Sequence, residues 1–421
     1  ASGASANERF DSSKTELNRA EIRCLVVGEA RESESVDSLT MTSVEEAVRY
    51  ANQNASVERI ELAFSGEVEV APLEILSRRL TIHAGLGAKP VLLFRDSGRS
   101  MRHMVRIGAS DLMFGDVELR FEMTQAVDEP RAMFLLDRTP RLQFQNSVLT
   151  IQAPAAYGEW LAFMQLAPPR SKEMMPGDDT MNTGSGNATP PLIDCFSTII
   201  RGQATMLRVP EGVPFRLKWD QGLLITTERL LDLAGSRIMP RGSAGARVEL
   251  SNTTAVVGKG LVLLRVDSEF RYPLEFSGEL FQCIVFCDPT PEPLAVAPLV
   301  EMRAGLGSDF GRKRPYFRSR DTFYHHVDSI LRFDPTGNPN EVIEYTFYER
   351  EKANELKWDE AGGVVGAIPW RKLPLASQAV ERRTKFDYLL DEAEMGQTMR
   401  AGFDPVRLPD AAPALEAKPP K

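Results

Sequence analysis

The sequence predicts an all-β chain wound into a right-handed parallel β-helix, a solenoid of about ten coils, and three observations point to it. Between residues 60 and 305 the 421-residue chain is a succession of short apolar runs parted by Gly, Ser, Asp and Pro, with almost no plausible long helix. The runs recur in phrases of roughly 20 to 30 residues holding three strands each. Thus Leu73-Glu74-Ile75-Leu76, Leu80-Thr81-Ile82-His83 and Val91-Leu92-Leu93-Phe94 are answered by Met104-Val105-Arg106-Ile107, Leu112-Met113-Phe114-Gly115 and Val117-Glu118-Leu119. No such coil buries its inner face alone, so coils must stack at about 4.8 Å. Finally, neither Asn-Gly nor Asp-Gly occurs, although these dipeptides close the tight hairpins of an antiparallel sandwich or barrel, the competing reading.

The elements follow in order. Residues 1–20 carry no periodicity and read as a disordered N-terminal segment. The apolar run Cys24-Leu25-Val26-Val27 reads as a strand. Ser43 and Glu46 have capping-box spacing, and Val44, Ala47, Val48 and Ala51 fall on one face of the helix they open. That helix suits the cap a solenoid needs over its open end. The β-helix domain is assigned to residues 21–305, interrupted by a polar projecting loop near residues 167–191. Residues 306–403 read as a C-terminal segment of closing coils and cap, with the aromatics around Tyr324 and Tyr345, and Trp358 and Trp370, packed on the stack. Residues 404–421, rich in Pro and Ala, read as a disordered tail.

Composition bounds the function. Lys plus Arg number 50 against 59 Asp plus Glu, a net charge of −9, which argues against binding of nucleic-acid backbone by the whole surface; no nucleic acid is expected as a partner, and any anion site must be local. Four cysteines, Cys24, Cys195, Cys283 and Cys287, are too few for a disulfide framework and leave the redox compartment open. No run approaches the ~18 apolar residues of a membrane-spanning helix. The chain starts at Ala1 and reads as a processed product or fragment. A soluble piece of an extracytoplasmic protein, or of a larger membrane-anchored one, is compatible with it.

The passage from Ser43-Val44-Glu45-Glu46-Ala47, through Ile60-Glu61-Leu62 and Pro72-Leu73-Glu74-Ile75, to Leu80-Thr81-Ile82-His83-Ala84-Gly85-Leu86-Gly87-Ala88-Lys89-Pro90-Val91 resembles the opening of pectin-lyase-like right-handed parallel β-helix proteins. Trp219-Asp220-Gln221-Gly222-Leu223-Leu224 and Ala401-Gly402-Phe403-Asp404-Pro405 look like a bacterial branch in which the solenoid is sometimes joined to a serine/threonine kinase domain. The resemblance implies the fold. It says little about function, because the fold hosts lyases, hydrolases, adhesins and scaffolds.

Candidate chemistry is sparse. Asp309-Phe310-Gly311 is the kinase magnesium string, but the Gly-rich loop, strand lysine and His-Arg-Asp loop that must accompany it are absent. A glycoside hydrolase needs clustered carboxylates, and the adjacent pair Asp178-Asp179 lies in a polar loop. A lyase would use calcium on aspartates and an Arg or Lys base; Asp220, Glu228, Arg229 and Asp232 are the candidates. No other cofactor is implied, and no metal site, since His83 and His103 are isolated and a strand would turn His325 and His326 to opposite faces. The strongest local charge is Arg312-Lys313-Arg314-Pro315-Tyr316-Phe317-Arg318-Ser319-Arg320, which offers Arg312, Lys313, Arg314, Tyr316, Arg318 and Arg320 to an acidic ligand.

Two functions follow. The first is a non-catalytic binding or scaffold module for carbohydrate or protein, attached to a kinase-associated bacterial protein. The second is a lyase or hydrolase of acidic polysaccharide.

Overall fold

The computed structural model describes residues 24–28, 38–77, 79–96, 102–125, 128–168, 190–237, 245–288, 297–304, 314–327, 329–335, 339–352, 356–374, 377–391 and 401–411. Among the described residues its strands pair in parallel, save Ser329–Asp334 with Ile343–Thr346 at one end of the third-leg sheet, and they build the right-handed β-helix that the sequence predicts. Among the described residues nine complete coils open at Arg59, Arg79, Asp111, Arg141, Leu192, Phe215, Ala246, Phe276 and Tyr316, and Lys357–Ala361 with Val364–Val365 begin another. Cys24–Gly28 and Ser38–Met41 pair ahead of the first complete coil.

Each coil has three legs. The first two lie in one large sheet, and the third lies in a separate ten-stranded sheet. In the coil that opens at Phe215, one long strand, Phe215–Thr226, supplies legs one and two, and Leu231–Ala234 supplies leg three. The apolar runs Phe215–Trp219 and Leu223–Ile225, separate strands by their pattern alone, belong to this one strand, which is bent at a corner. There a single residue takes the left-handed conformation, and its counterparts in other coils are Asp116, Asn146, Ser197, Asn252, Gln282 and Asp321, with φ between 47° and 57°. Such residues are short or polar, the types that tolerate this region best among those with a side chain.

The corner has its own polar chemistry. After five of these bends the next residue turns its hydroxyl or thiol onto the carbonyl two residues back: Ser147 at 2.8 Å, Thr198 at 2.9 Å, Thr253 at 2.8 Å, Cys283 at 3.3 Å and Thr322 at 3.1 Å. Buried carbonyls at a bend need such donors. In the coil between Thr198 and Thr253 this place falls to Gly222, because the indole of Trp219 fills it: a Cβ would stand 2.0 Å from Nε1.

The core is built of inward columns. Leu92, Leu119, Leu149, Ile200, Leu224, Ala255, Val285 and Tyr324 succeed one another on the second leg, and all are buried. Phe114 and Phe144 stack at 5.6 Å on the first leg. The helix Val44–Gln53 lies under the first coils, burying the four residues the sequence assigns to its apolar face. Ser43 caps it by accepting from the Glu46 amide, while the Glu46 carboxylate reaches back to Thr42. Trp358 closes the other end, stacked on Phe317 at 5.4 Å.

Beyond residue 305 the coils run on through Tyr316–Arg320, Phe323–His325 and Ser329–Asp334, because their apolar residues keep the inward register. Residues 366–374, 377–391 and 401–411 then lie over the outside of the second legs. Val148, Ile199, Leu223, Ile225, Val256 and Phe286 point outward there and are covered by Val380, Tyr388 and Leu408. The tail is therefore docked as far as residue 411, with Lys385 Nζ donating to the carbonyls of Pro405 at 2.9 Å and Leu408 at 2.7 Å. Residues 1–20, 412–421 and most of the loop near 167–191 lie outside the described residues.

Candidate functional site

The outer side of the third-leg sheet carries a dense ionic cluster. Glu228 and Arg229 stand where the second leg turns into the third, and Asp232 is on the third leg itself. Register then brings in residues from neighbouring coils. Asp232 lies beside Arg208 of the coil before. Arg265 and Arg303 are direct neighbours on the two coils after.

These side chains are paired in layers. Arg265 grips Asp232 with two bonds, at 2.7 and 3.2 Å. Glu301 takes Arg303 at 2.8 Å on one oxygen and Arg229 on the other. Lys259 Nζ is 3.0 Å from Glu228. The carboxylates lie underneath: the side chains of Glu228, Glu301 and Asp232 are 8%, 10% and 14% exposed, whereas Lys259, Arg265 and Arg303 are 40%, 41% and 52% exposed. A net-acidic molecule thus presents cations here over a buried bed of acids.

Burial governs the proton affinities. It raises the pKa of Glu228, outweighing the opposing pull of Lys259. It lowers those of Arg229 and Arg208, against the opposing effects of Glu301 and Asp232. Arg208 also donates to the carbonyls of Trp160 at 3.0 Å and of Glu159, so the short helix Ala155–Trp160 is pinned over this region. A Cβ on Gly158 would meet the Glu228 carboxylate at 2.9 Å.

Glu228, Arg229 and Asp232, three of the four acid–base candidates from the sequence, therefore share one face. Asp220 does not. It precedes the corner, on the outer side of the first leg, where it accepts from Ser251 at 2.7 Å and Asn252 at 3.0 Å; the bend at Gln221 separates it from the others. Among the described residues no group of three or more His, Cys, Asp or Glu side chains is arranged to hold a metal. The calcium that a lyase would take finds no fitting set of residues there.

The basic run divides as well. Arg312 and Lys313 lie outside the described residues, as do Asp309-Phe310-Gly311 and Asp178-Asp179. Arg314 is exposed, Tyr316 is half-buried, and Arg318 and Arg320 line an open groove of about 320 Å³ on the outer side of the first legs, with Glu249, Ser251, Glu279 and Phe281. His325 and His326 do not point apart as a continuous strand would require: the left-handed φ of 52° at His326 stacks their rings at 4.0 Å.

Sequence reasoning missed Arg208, Lys259, Arg265, Glu301 and Arg303. Their meeting depends on strand register across coils of unequal length, and no local spacing encodes it.

No known family model matches the chain, and no characterised protein matches its sequence. Among solved structures, pectin methylesterase PemA from Erwinia chrysanthemi is 10% identical, with 93% of this chain and 98% of that one covered and a TM-score of 0.37. A pectin methylesterase in complex with hexasaccharide VII is 10% identical over the same shares, with a TM-score of 0.29. Neither likeness bears on the chemistry of this chain. Among the described residues no helix is long and apolar enough to cross a membrane.

Proposed function

We propose that this chain binds an acidic polysaccharide along the outer side of the third-leg sheet. One observation carries the reading: Arg265 and Arg303 stand in register on adjacent coils, half-exposed, each braced from beneath by a buried carboxylate. Adjacent coils put such cations about 4.8 Å apart along the solenoid axis, so a polymer running across the strands meets a repeat of charge. Guanidinium forks suit carboxylate or sulfate groups, and fixing them in advance lowers the entropy cost of binding. The binding is non-catalytic in this reading, because Glu228 and Arg229 are buried and already paired. The kinase association implied by the sequence resemblance draws no support from the comparisons.

The test is affinity for polygalacturonate and alginate at low salt. Arg265→Gln and Arg303→Gln, both at part-exposed positions, are each expected to weaken binding about tenfold, the effect of losing one charge-assisted contact. Added salt weakens it further. Retention unchanged in both variants, or equal retention of a neutral glucan, overturns the proposal.

A second reading, lyase or hydrolase action on the same polymer, is favoured by one feature. Burial pushes Glu228 toward its protonated form and the adjacent Arg229 toward its neutral one, the states a general acid and a general base require. Release of unsaturated or reducing ends that is abolished by Glu228→Gln would establish it.

A further inference from the structure

We infer that the groove on the outer side of the first legs is a second carbohydrate site, one that holds a single uronic acid ring. The observation is an exposed aromatic beside an uncommitted cation. Phe281 is 44% exposed, and its in-register neighbour on the next coil, Arg320, is exposed and has no ion-pair partner among the described residues. Strand spacing sets the two about 4.8 Å apart on one face. A pyranose lying on the Phe281 ring thus directs a carboxylate at the Arg320 guanidinium.

The remaining walls supply what the hydroxyls of such a ring need. Glu249 and Glu279 are acceptors, and their charges are compensated from the far side. Glu249 is held by Arg247 at 2.8 Å, Lys218 at 3.3 Å and Arg216 at 3.4 Å, and its pKa falls because those cations outweigh its burial. Glu279 takes Arg247 at 3.1 Å. Arg318 stands 3.6 Å from Asp359, and its Nε has no hydrogen-bond partner. The volume of about 320 Å³ is at the small end of ligand pockets, which run to about 1,000 Å³, and fits one ring better than a chain.

This site is independent of the cationic face on the third legs. It shares no residue with that face, and it recognises a ring rather than a charge repeat. The lower half of the basic run in the sequence, Arg318 and Arg320, acts here.

The experiment is titration of the whole chain with galacturonate, with glucuronate and with glucose, followed by NMR line broadening of the sugar. Uronate is expected to bind and glucose to bind at least tenfold more weakly. Phe281→Ala and Arg320→Gln, at exposed positions where folding is checked by circular dichroism, are each expected to abolish the uronate signal, and Arg303→Gln to preserve it. Measured on the Arg303→Gln variant, a trisaccharide uronate that binds no better than the monosaccharide supports a one-ring site, and one that binds at least tenfold better contradicts it. Absence of uronate binding, equal binding of glucose, or binding unaffected by both groove variants overturns the inference. Failure here leaves polymer retention on the third legs intact, and that retention is measured separately.

Discussion

Single residues carry the shape of each coil. Gly222 is required because Trp219 occupies the space its side chain would need. Gly222→Ala is expected to destabilise the chain by about 1–3 kcal/mol through overpacking, read as a lowered unfolding midpoint, while a Thr253→Ser exchange at the equivalent corner keeps the hydroxyl and changes little. Glu228 gives a pH test. Its folded pKa lies above the ordinary 4.5, so above that pH the folded state holds a proton that the unfolded state has lost, and rising pH costs stability. The stability of Glu228→Gln relative to the parent is therefore expected to increase from acid to neutral pH; a constant difference across that range contradicts the assignment. At this scale the sequence was legible where residue type decides. Glu228, Arg229 and Asp232 stand in a compact run and do share a face, but the left-handed turn at Gln221 that sends Asp220 elsewhere has no unambiguous local signature.

Among elements, the C-terminal strap departs furthest from the sequence reading. Its sequence looks irregular because it contains no periodic apolar pattern; Val380, Tyr388 and Leu408 are spaced to meet outward rows on coils far away in sequence. The fastening is ionic and buried. Arg383, 1% exposed, donates to Asp288 at 2.6 Å and to the Tyr388 hydroxyl at 3.0 Å, and its own carbonyl accepts from Arg201 at 2.9 Å. Its charge is retained despite burial, since Tyr388 and Asp288 raise its pKa. Arg383→Ala leaves Asp288 without that partner and is expected to cost about 3–5 kcal/mol, with Asp288→Asn recovering part of the loss in the double variant. Equal stability of the single variant and the parent would mean that the strap contributes little. The helix Val44–Gln53, by contrast, was fully legible, because its cap and its apolar stripe are both local signals.

For the whole molecule, repetition makes the fold readable and the site obscure. Three strands per phrase, no tight hairpin dipeptides and inward aliphatics suffice for the solenoid. Coil lengths vary with every loop, so the neighbours of Arg265 and Arg303 follow only once the register is known. Each coil adds one outward row to each face, and the third-leg face collects cations above buried acids although the chain as a whole carries −9. Side-chain footprinting under saturating oligogalacturonate tests that account most directly. The modification rates of Lys259, Arg265 and Arg303 should fall together, while exposed cations on other faces, such as Arg95 on a second leg, stay reactive. Undiminished modification of those three with the oligosaccharide demonstrably bound would contradict it.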